Sequence, residues 1–469
     1  MKTYKEAKIA LIMGQSIEGC GVTRNAAEMF QWSKKAGVKF DIYSYDERMY
    51  NRRDAHEMDF ISFTRENINS TVEKLNQYDI VMFNSYPSNK FEKQAIIDFY
   101  EKVIKGVTTI KVGFMHELNK TNIDKIPYLV GIMNEMDVIY NFGEETWFSQ
   151  TISDLLPSKE IGKRTKKFTM WFNFEDLENN YRNKYSLDDK SKKLVYCSRW
   201  TTMKGPRRVL DLAPMLAVKD PEFKAELKGI ERSIGAKFDI FDHPNTLDCT
   251  GRTPDPNSTG TVPVYGPYIR EEGIDFMAKN LFIASFYRMP KAIQDYGDRM
   301  EYSQIESIAV GSIPVFDTNW GENNRTLDGQ RYIDVPYSAI YSDEKDLEGT
   351  VEKLIEVANN KELQEKYRET SYKIAKQEFD ANIVLPKMFN EILAIGKDTN
   401  KFKSEKDILQ NLIEPDFYEE FLDLYEEYTN KNEIVVLGIR ELTNNIFCIL
   451  DGKKEQQIKA FKKSKRKNK

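Results

Sequence analysis

Cysteine is scarce in this chain. Cys20, Cys197, Cys249 and Cys448 are the four, far apart and without a C-x-x-C pair, which argues against a zinc site or a disulfide framework and fits a reducing compartment. Histidine is scarcer still, with three residues, and neither an H-E-x-x-H run nor an Asp-x-Asp pair occurs, so the sequence requires no metal. Long apolar runs are missing too: the N-terminal MKTYKEAKIALIMG holds only a short one, stopped by Gly14, and no stretch approaches the ~20 apolar residues of a membrane span. Neither signal peptide nor anchor is expected, and the cytoplasm is the expected location. There is also no excess of basic charge. The net charge of −5 excludes the global basic balance of a nucleic-acid coat, so any DNA contact must come from local patches.

What is present is enough material for large cores. With 469 residues, 40% of them hydrophobic, the chain has the length of two domains plus an extension. Lys8-Ile9-Ala10-Leu11-Ile12-Met13 reads as a buried strand, followed by a loop over 14–21 and a helical pattern carrying Ala26, Ala27, Phe30 and Trp32. Further strands are expected at residues 40–43, 80–83, 110–114 and 138–140, and a second series at 194–197, 238–241, 281–284 and 313–316, with helical patterns between most of them. Strands alternating with helices imply parallel sheets with ligands at the carboxyl ends of the strands. Two such series predict an α/β chain of two Rossmann-like lobes.

The Lys-, Asn- and Asp-rich stretch 158–193 is placed as the linker or beside it. Residues 251–268, rich in Pro, Gly, Ser and Thr, read as a loop. Amphipathic helix returns over 346–395. From about residue 400 an acidic aromatic helix, two short apolar runs and a lysine-rich end form an appendage.

Several positions can carry chemistry. Glu18-Gly19-Cys20-Gly21-Val22-Thr23 lies between the first strand and the first helix, where glycines allow close backbone approach and a helix N-terminus favours an anion. It is either a diphosphate cradle or a packing turn, and it is not the G-x-G-x-x-G of nicotinamide binding. His116 and Glu117 follow the strand ending at Phe114. Arg199 and Lys204 share the loop after the first strand of the second lobe, where two cations suit a diphosphate leaving group. Glu301 and Glu306 precede Gly311 and the short strand Ile313-Pro314-Val315-Phe316. A carboxylate accepts two hydroxyl hydrogen bonds at once, which suits a ribose or hexose diol; taken alone, two helix acids are more often simply solvated. Basic groups recur at Lys163, Arg164, Lys166 and Lys167 and at Arg207 and Arg208, with Trp147, Trp171 and Phe172 near the first block as possible base-stacking rings.

Taken in order, these residues resemble GT-B fold glycosyltransferases and, within them, the DNA α-glucosyltransferases of T-even bacteriophages. The likeness rests on Glu18 to Thr23, His116-Glu117, Arg199 with Thr201, Thr202, Lys204 and Gly205, Gly229 to Ser233, and Glu301-Tyr302, Glu306, Gly311, Ile313 to Phe316 and Gly321-Glu322-Asn323. It spans roughly residues 8–395 and leaves the tail outside. The resemblance implies a GT-B fold, two lobes facing a central cleft: an acceptor lobe over 1–170, a donor-nucleotide lobe over 190–375, a helix over 376–398 crossing back to the first lobe, and an appendage over 400–469. It implies retaining transfer of glucose from UDP-glucose to 5-hydroxymethylcytosine in double-stranded phage DNA, with the base flipped out and the DNA protected from restriction. A monomer without a required cofactor is expected.

By the same resemblance, Arg199 and Lys204 bind the donor diphosphate, with Gly19, Cys20, Gly21 and Val22 also on the donor. Glu306 takes the ribose, Glu301 the uridine or sugar side, and His116 and Glu117 face the transferred sugar and acceptor hydroxyl. Glu117 departs from the family's Asp by one methylene, and Asp298 stands where the wider class has the first of two glutamates. Those departures leave open arabinose or another sugar, and 5-hydroxymethyluracil as acceptor. A GT-B enzyme acting on a cell-surface polymer would show a basic amphipathic helix in the first lobe, which is not evident. A DNA-binding protein without transfer would not need Arg199, Lys204, Glu301 and Glu306.

Overall fold

The structure is a computed structural model. It describes residues 2–14, 21–45, 58–87, 91–116, 129–141, 164–167, 169–201, 204–231, 240–251, 260–287 and 300–397. The expected appendage after residue 400 lies outside the described residues. The chain divides into two compact units, one of Met1–Met170 with Leu385–Lys469, the other of Trp171–Val384.

The first unit is built on strands β1 (Lys8–Met13), β2 (Lys39–Tyr45), β3 (Phe60–Phe63), β4 (Ile80–Ser85), β5 (Ile110–Met115), β6 (Val138–Asn141) and β7 (Thr165–Lys167), in the spatial order β3-β2-β1-β4-β5-β6-β7. Every neighbouring pair is parallel. β1 from Ile9 to Met13 and β4 from Ile80 to Phe83 are apolar and buried, as strands covered by helices on both faces must be. The helices Gly21–Ala36, Ile68–Leu75, Lys93–Asp98 and Leu129–Glu135 fall between the strands. Within this unit the later half of the Ala381–Ile395 helix returns, with Phe389 stacking on Trp32 at 6.0 Å.

The second unit has strands β8 (Ser191–Trp200), β9 (Lys224–Glu231), β10 (Thr246–Cys249), β11 (Val262–Tyr265), β12 (Asn280–Ser285), β13 (Ile313–Asp317) and β14 (Ile340–Ser342), again all parallel, in the order β10-β11-β9-β8-β12-β13-β14. Pro314 lies in β13, the strand next to the edge strand β14, and β14 pairs with β13 only from Val315 onward, so its missing donor leaves no gap in that ladder.

Two sequence expectations need correction. Ile240 and Phe241 lie in a turn, and the strand that follows β8 is β9, earlier in the chain; the alternating Lys-Ala-Glu-Leu-Lys-Gly pattern hid it among charges. The stretch 251–268 is not wholly loop, because Val262-Pro263-Val264-Tyr265 forms β11, a strand too short to show a period.

In each sheet the chain changes direction of travel from the first strand, at β1/β4 and at β8/β12, and in the second sheet β11 also comes back to lie between β9 and the edge strand β10. Open α/β sheets take ligands at the carboxyl ends of strands beside such a switch point.

Candidate functional site

At the switch point of the second unit, β8 ends in Ser198-Arg199-Trp200 and the chain turns at Gly205 into the Pro206–Lys219 helix. Gly205 has φ +60°, and a Cβ there would come within 2.8 Å of the Phe286 backbone just after β12, so only glycine closes this turn without strain. Gly229, near the end of β9, is equally constrained: a Cβ would lie 2.0 Å from Trp200 Nε1. Those two contacts press the loop after β8 against its neighbouring strands.

The loop carries both expected cations. Lys204 Nζ lies 2.6 Å from Glu301 Oε2 and donates to Ser198 Oγ at 3.2 Å. Among the described residues the Arg199 guanidinium makes no ion pair. Thr201 Oγ1 is buried beside them without a hydrogen-bond partner among the described residues.

Glu301 is the N-cap residue of the Tyr302–Ala309 helix, and its backbone N–H donates to Gln304 Oε1 at 2.7 Å. A carboxylate is favoured at this end of a helix. Glu306 lies within the same helix, five positions on, about 140° further round it, and its Oε1 accepts from Arg270 Nε at 3.0 Å. Each acid therefore has its own cation. Near Glu306, burial above all, with the negative charge of that carboxylate adding to it, pushes the Cys197 thiol up to about 12 and the Tyr268 hydroxyl well above its ordinary value.

At the switch point of the first unit, the expected loop and His116 meet through a residue the sequence reading missed. Asn84, fully buried near the end of β4, donates through Nδ2 to the Val22 carbonyl at 2.9 Å, and its Oδ1 is 2.9 Å from His116 Nε2. The His116 ring stacks on Phe114, which stacks on Tyr140. Burial lowers the imidazole to about 3, so it is neutral at physiological pH. Gly21 and Val22 open the first helix. Gly19, Cys20 and Glu117 lie outside the described residues.

The basic groups expected on DNA divide sharply. Arg164 is buried and donates to the Asn134 and Met136 carbonyls, and Arg208 is buried between Asp317 and the Ser342 carbonyl, 2.6 Å and 2.9 Å away. Both guanidiniums are spent inside their units. Trp171 and Phe172 are also core residues, Phe172 being bonded by its backbone to Phe379 and Ala381, so neither is offered to a base. Arg207 is exposed, and Lys166 is half-exposed with Glu391 3.5 Å away. Lys163 and Trp147 are outside the described residues, and of Lys167 only the backbone is described, in β7.

Of the residues the sequence did not point to, two left a trace in it. Asn84 is a polar residue continuing the apolar run Ile80-Val81-Met82-Phe83, and Arg270 is a cation at a helix start, where the helix dipole disfavours it. Among the described residues no three His, Cys, Asp or Glu side chains gather as a metal site, and no helix is long and apolar enough to cross a membrane.

The comparison that decides the family is a match of residues 20–362 to the model described as DNA alpha-glucosyltransferase. The chain belongs to the DNA alpha-glucosyltransferase family. A relative within reach of sequence comparison, the DNA alpha-glucosyltransferase of Enterobacteria phage T4, is 24% identical over 410 residues, covering 82% of this chain and 99% of that protein. Among solved structures, an alpha-glucosyltransferase in complex with UDP and a 13-mer DNA containing an HMU base matches with TM-score 0.71 at 22% identity, over 82% of this chain and 99% of the other. An alpha-glucosyltransferase in complex with UDP-glucose and DNA containing an abasic site matches with TM-score 0.70 at 20% identity and the same coverage. The family likeness and the two parallel seven-stranded sheets agree on a GT-B glycosyltransferase.

Proposed function

We propose that this chain transfers glucose from UDP-glucose to the hydroxymethyl group of a modified pyrimidine in double-stranded DNA, with retention at the sugar carbon. The observation that carries the reading is the pair of cations Arg199 and Lys204 at the carboxyl end of β8, beside the β8/β12 switch point. Membership of the DNA alpha-glucosyltransferase family supports both donor and acceptor.

In this reading the bond from the sugar carbon to the diphosphate oxygen breaks while the acceptor hydroxyl oxygen bonds to that carbon from the same face. The hydroxyl proton passes to an oxygen of the departing diphosphate. Arg199 and Lys204 stabilise the charge that develops there, an interaction stronger in the transition state than before it. A diphosphate reaching Lys204 competes with Glu301 for the ammonium. Glu306, held by Arg270, takes the ribose hydroxyls, and His116 with Glu117 orients the acceptor. A stacked base is out of reach of such groups, so the target is flipped out of the duplex. Residues 1–170 form the acceptor lobe and 190–375 the donor lobe, and the Ala381–Ile395 helix, in place of one over 376–398, returns to the acceptor lobe. Lys163, Lys166, Lys167 and Arg207 meet the DNA phosphates in this reading.

The test is incubation with a panel of UDP-sugars and duplexes carrying 5-hydroxymethylcytosine or 5-hydroxymethyluracil, followed by mass spectrometry of the released nucleosides. A hexosyl gain from UDP-glucose on 5-hydroxymethylcytosine is expected. No gain on any DNA would overturn the proposal.

A further inference from the structure

Asn84 joins three carboxyl-end segments of the first sheet. Its Nδ2 donates to the Val22 carbonyl at 2.9 Å, in the first turn of the Gly21–Ala36 helix, and points to Met13 Sδ, at the end of β1, at 3.2 Å. A carbonyl oxygen only accepts, so the amide nitrogen must be the atom facing Val22. The amide oxygen is thereby turned to His116, where it lies 2.9 Å from Nε2. An amide oxygen also only accepts, so the proton of this hydrogen bond belongs to the ring.

We infer that Asn84 is a positioning residue that holds His116 as its Nε2–H tautomer, which makes Nδ1 the acceptor nitrogen of the ring. This rests on the reading that His116 faces the sugar and the acceptor hydroxyl. A ring so fixed can accept a hydrogen bond from a hydroxyl through Nδ1, and it brings no positive charge to the acceptor side. The opposite tautomer would offer a donor at Nδ1 and would turn an orienting acceptor into a competitor for the hydroxyl's lone pairs. The backbone-anchored amide suits this role, because Asn84 is fully buried and its orientation is set by Val22 and Met13, not by the imidazole it fixes.

The chain has three histidines, so selective 15N-histidine labelling of the full-length protein resolves the tautomer of each ring, His116 being assigned by the signal that disappears in His116→Gln. In the native protein at neutral pH, His116 is expected to show a protonated Nε2 and an unprotonated Nδ1. In Asn84→Ala, both tautomers are expected, together with a fall in kcat on the order of 100-fold and a donor KM close to the native value. A role in stability alone would lower the melting temperature and leave kcat per folded molecule unchanged. A protonated Nδ1 in the native protein, or native kcat in Asn84→Ala, overturns the inference. Should Asn84→Ala fail to fold, the native tautomer still decides. Unchanged turnover in His116→Gln would instead overturn the reading on which the inference rests, leaving the tautomer as measured.

Discussion

Lys204 Nζ lies 2.6 Å from Glu301 Oε2, and this ion pair ties the loop after β8 to the N-terminus of the Tyr302–Ala309 helix. The two side chains are 12% and 25% exposed, so the pair is shielded enough for the loss of one partner to matter to stability as well as to chemistry. That dual role can be separated. Lys204→Ala is expected to lower kcat by about 100-fold or more through loss of a charge on the leaving group, and to lower the melting temperature by stranding Glu301. Adding Glu301→Gln to that variant should recover the melting temperature and leave turnover low. Recovery of turnover along with stability would show that Lys204 acts only as a structural partner.

Arg199 offers the complementary case. Its guanidinium makes no ion pair among the described residues, so Arg199→Ala should leave thermal unfolding close to native while kcat falls on the order of 100-fold. Lysine at this position should restore only part of the rate, because a point charge does not replace a bidentate fork. Unchanged turnover at saturating UDP-glucose would remove Arg199 from the proposed mechanism.

What the sequence disclosed and what it concealed follow from two kinds of signal. Apolar runs such as Ile9 to Met13 and Ile313 to Phe316 announce strands buried on both faces, and both lie where expected, in β1 and β13. Strand β9 was illegible because its charged residues alternate with apolar ones, and β11 because four residues carry no period. In the candidate site, residue types known to suit a diphosphate or a diol were visible, but their counter-partners were not. The Arg270–Glu306 pair spans 36 positions and the Asn84–His116 contact 32; both are made by strand order and helix placement, which no local pattern encodes. Arg164 and Arg208 show the converse, since a basic run in sequence does not reveal which of its members turn inward to carbonyls and to Asp317.

The Arg270–Glu306 pair leads to a prediction about binding. Glu306 Oε1 accepts from Arg270 Nε at 3.0 Å, with Glu306 12% exposed. Removal of the guanidinium frees the carboxylate to rotate and leaves its charge poorly compensated. Arg270→Met is therefore expected to raise the KM for UDP-glucose by about tenfold with a much smaller change in kcat, the pattern of a loss shared by ground and transition states. Isothermal titration with UDP should show the same weakening. A large fall in kcat at unchanged KM would place Arg270 at the reacting centre instead.

His116 makes the stability of the first unit sensitive to acid in a direction that can be derived. Its imidazole, with an ordinary value of 6.5, is lowered to about 3 by burial. Between those two values the unfolded chain carries a proton that the folded ring does not accept, so acidification favours unfolding. The stability held by the neutral ring is fully present above about pH 6.5 and is lost as the pH falls towards 3, at a slope of at most ~1.4 kcal/mol per pH unit. His116→Gln keeps an amide able to donate to Asn84 Oδ1 but has nothing to titrate. Between pH 6.5 and pH 5 the native protein should therefore lose up to about 2 kcal/mol more than this variant in urea unfolding followed by fluorescence. Equal losses in the two proteins would mean that the folded ring takes up its proton as readily as the unfolded one.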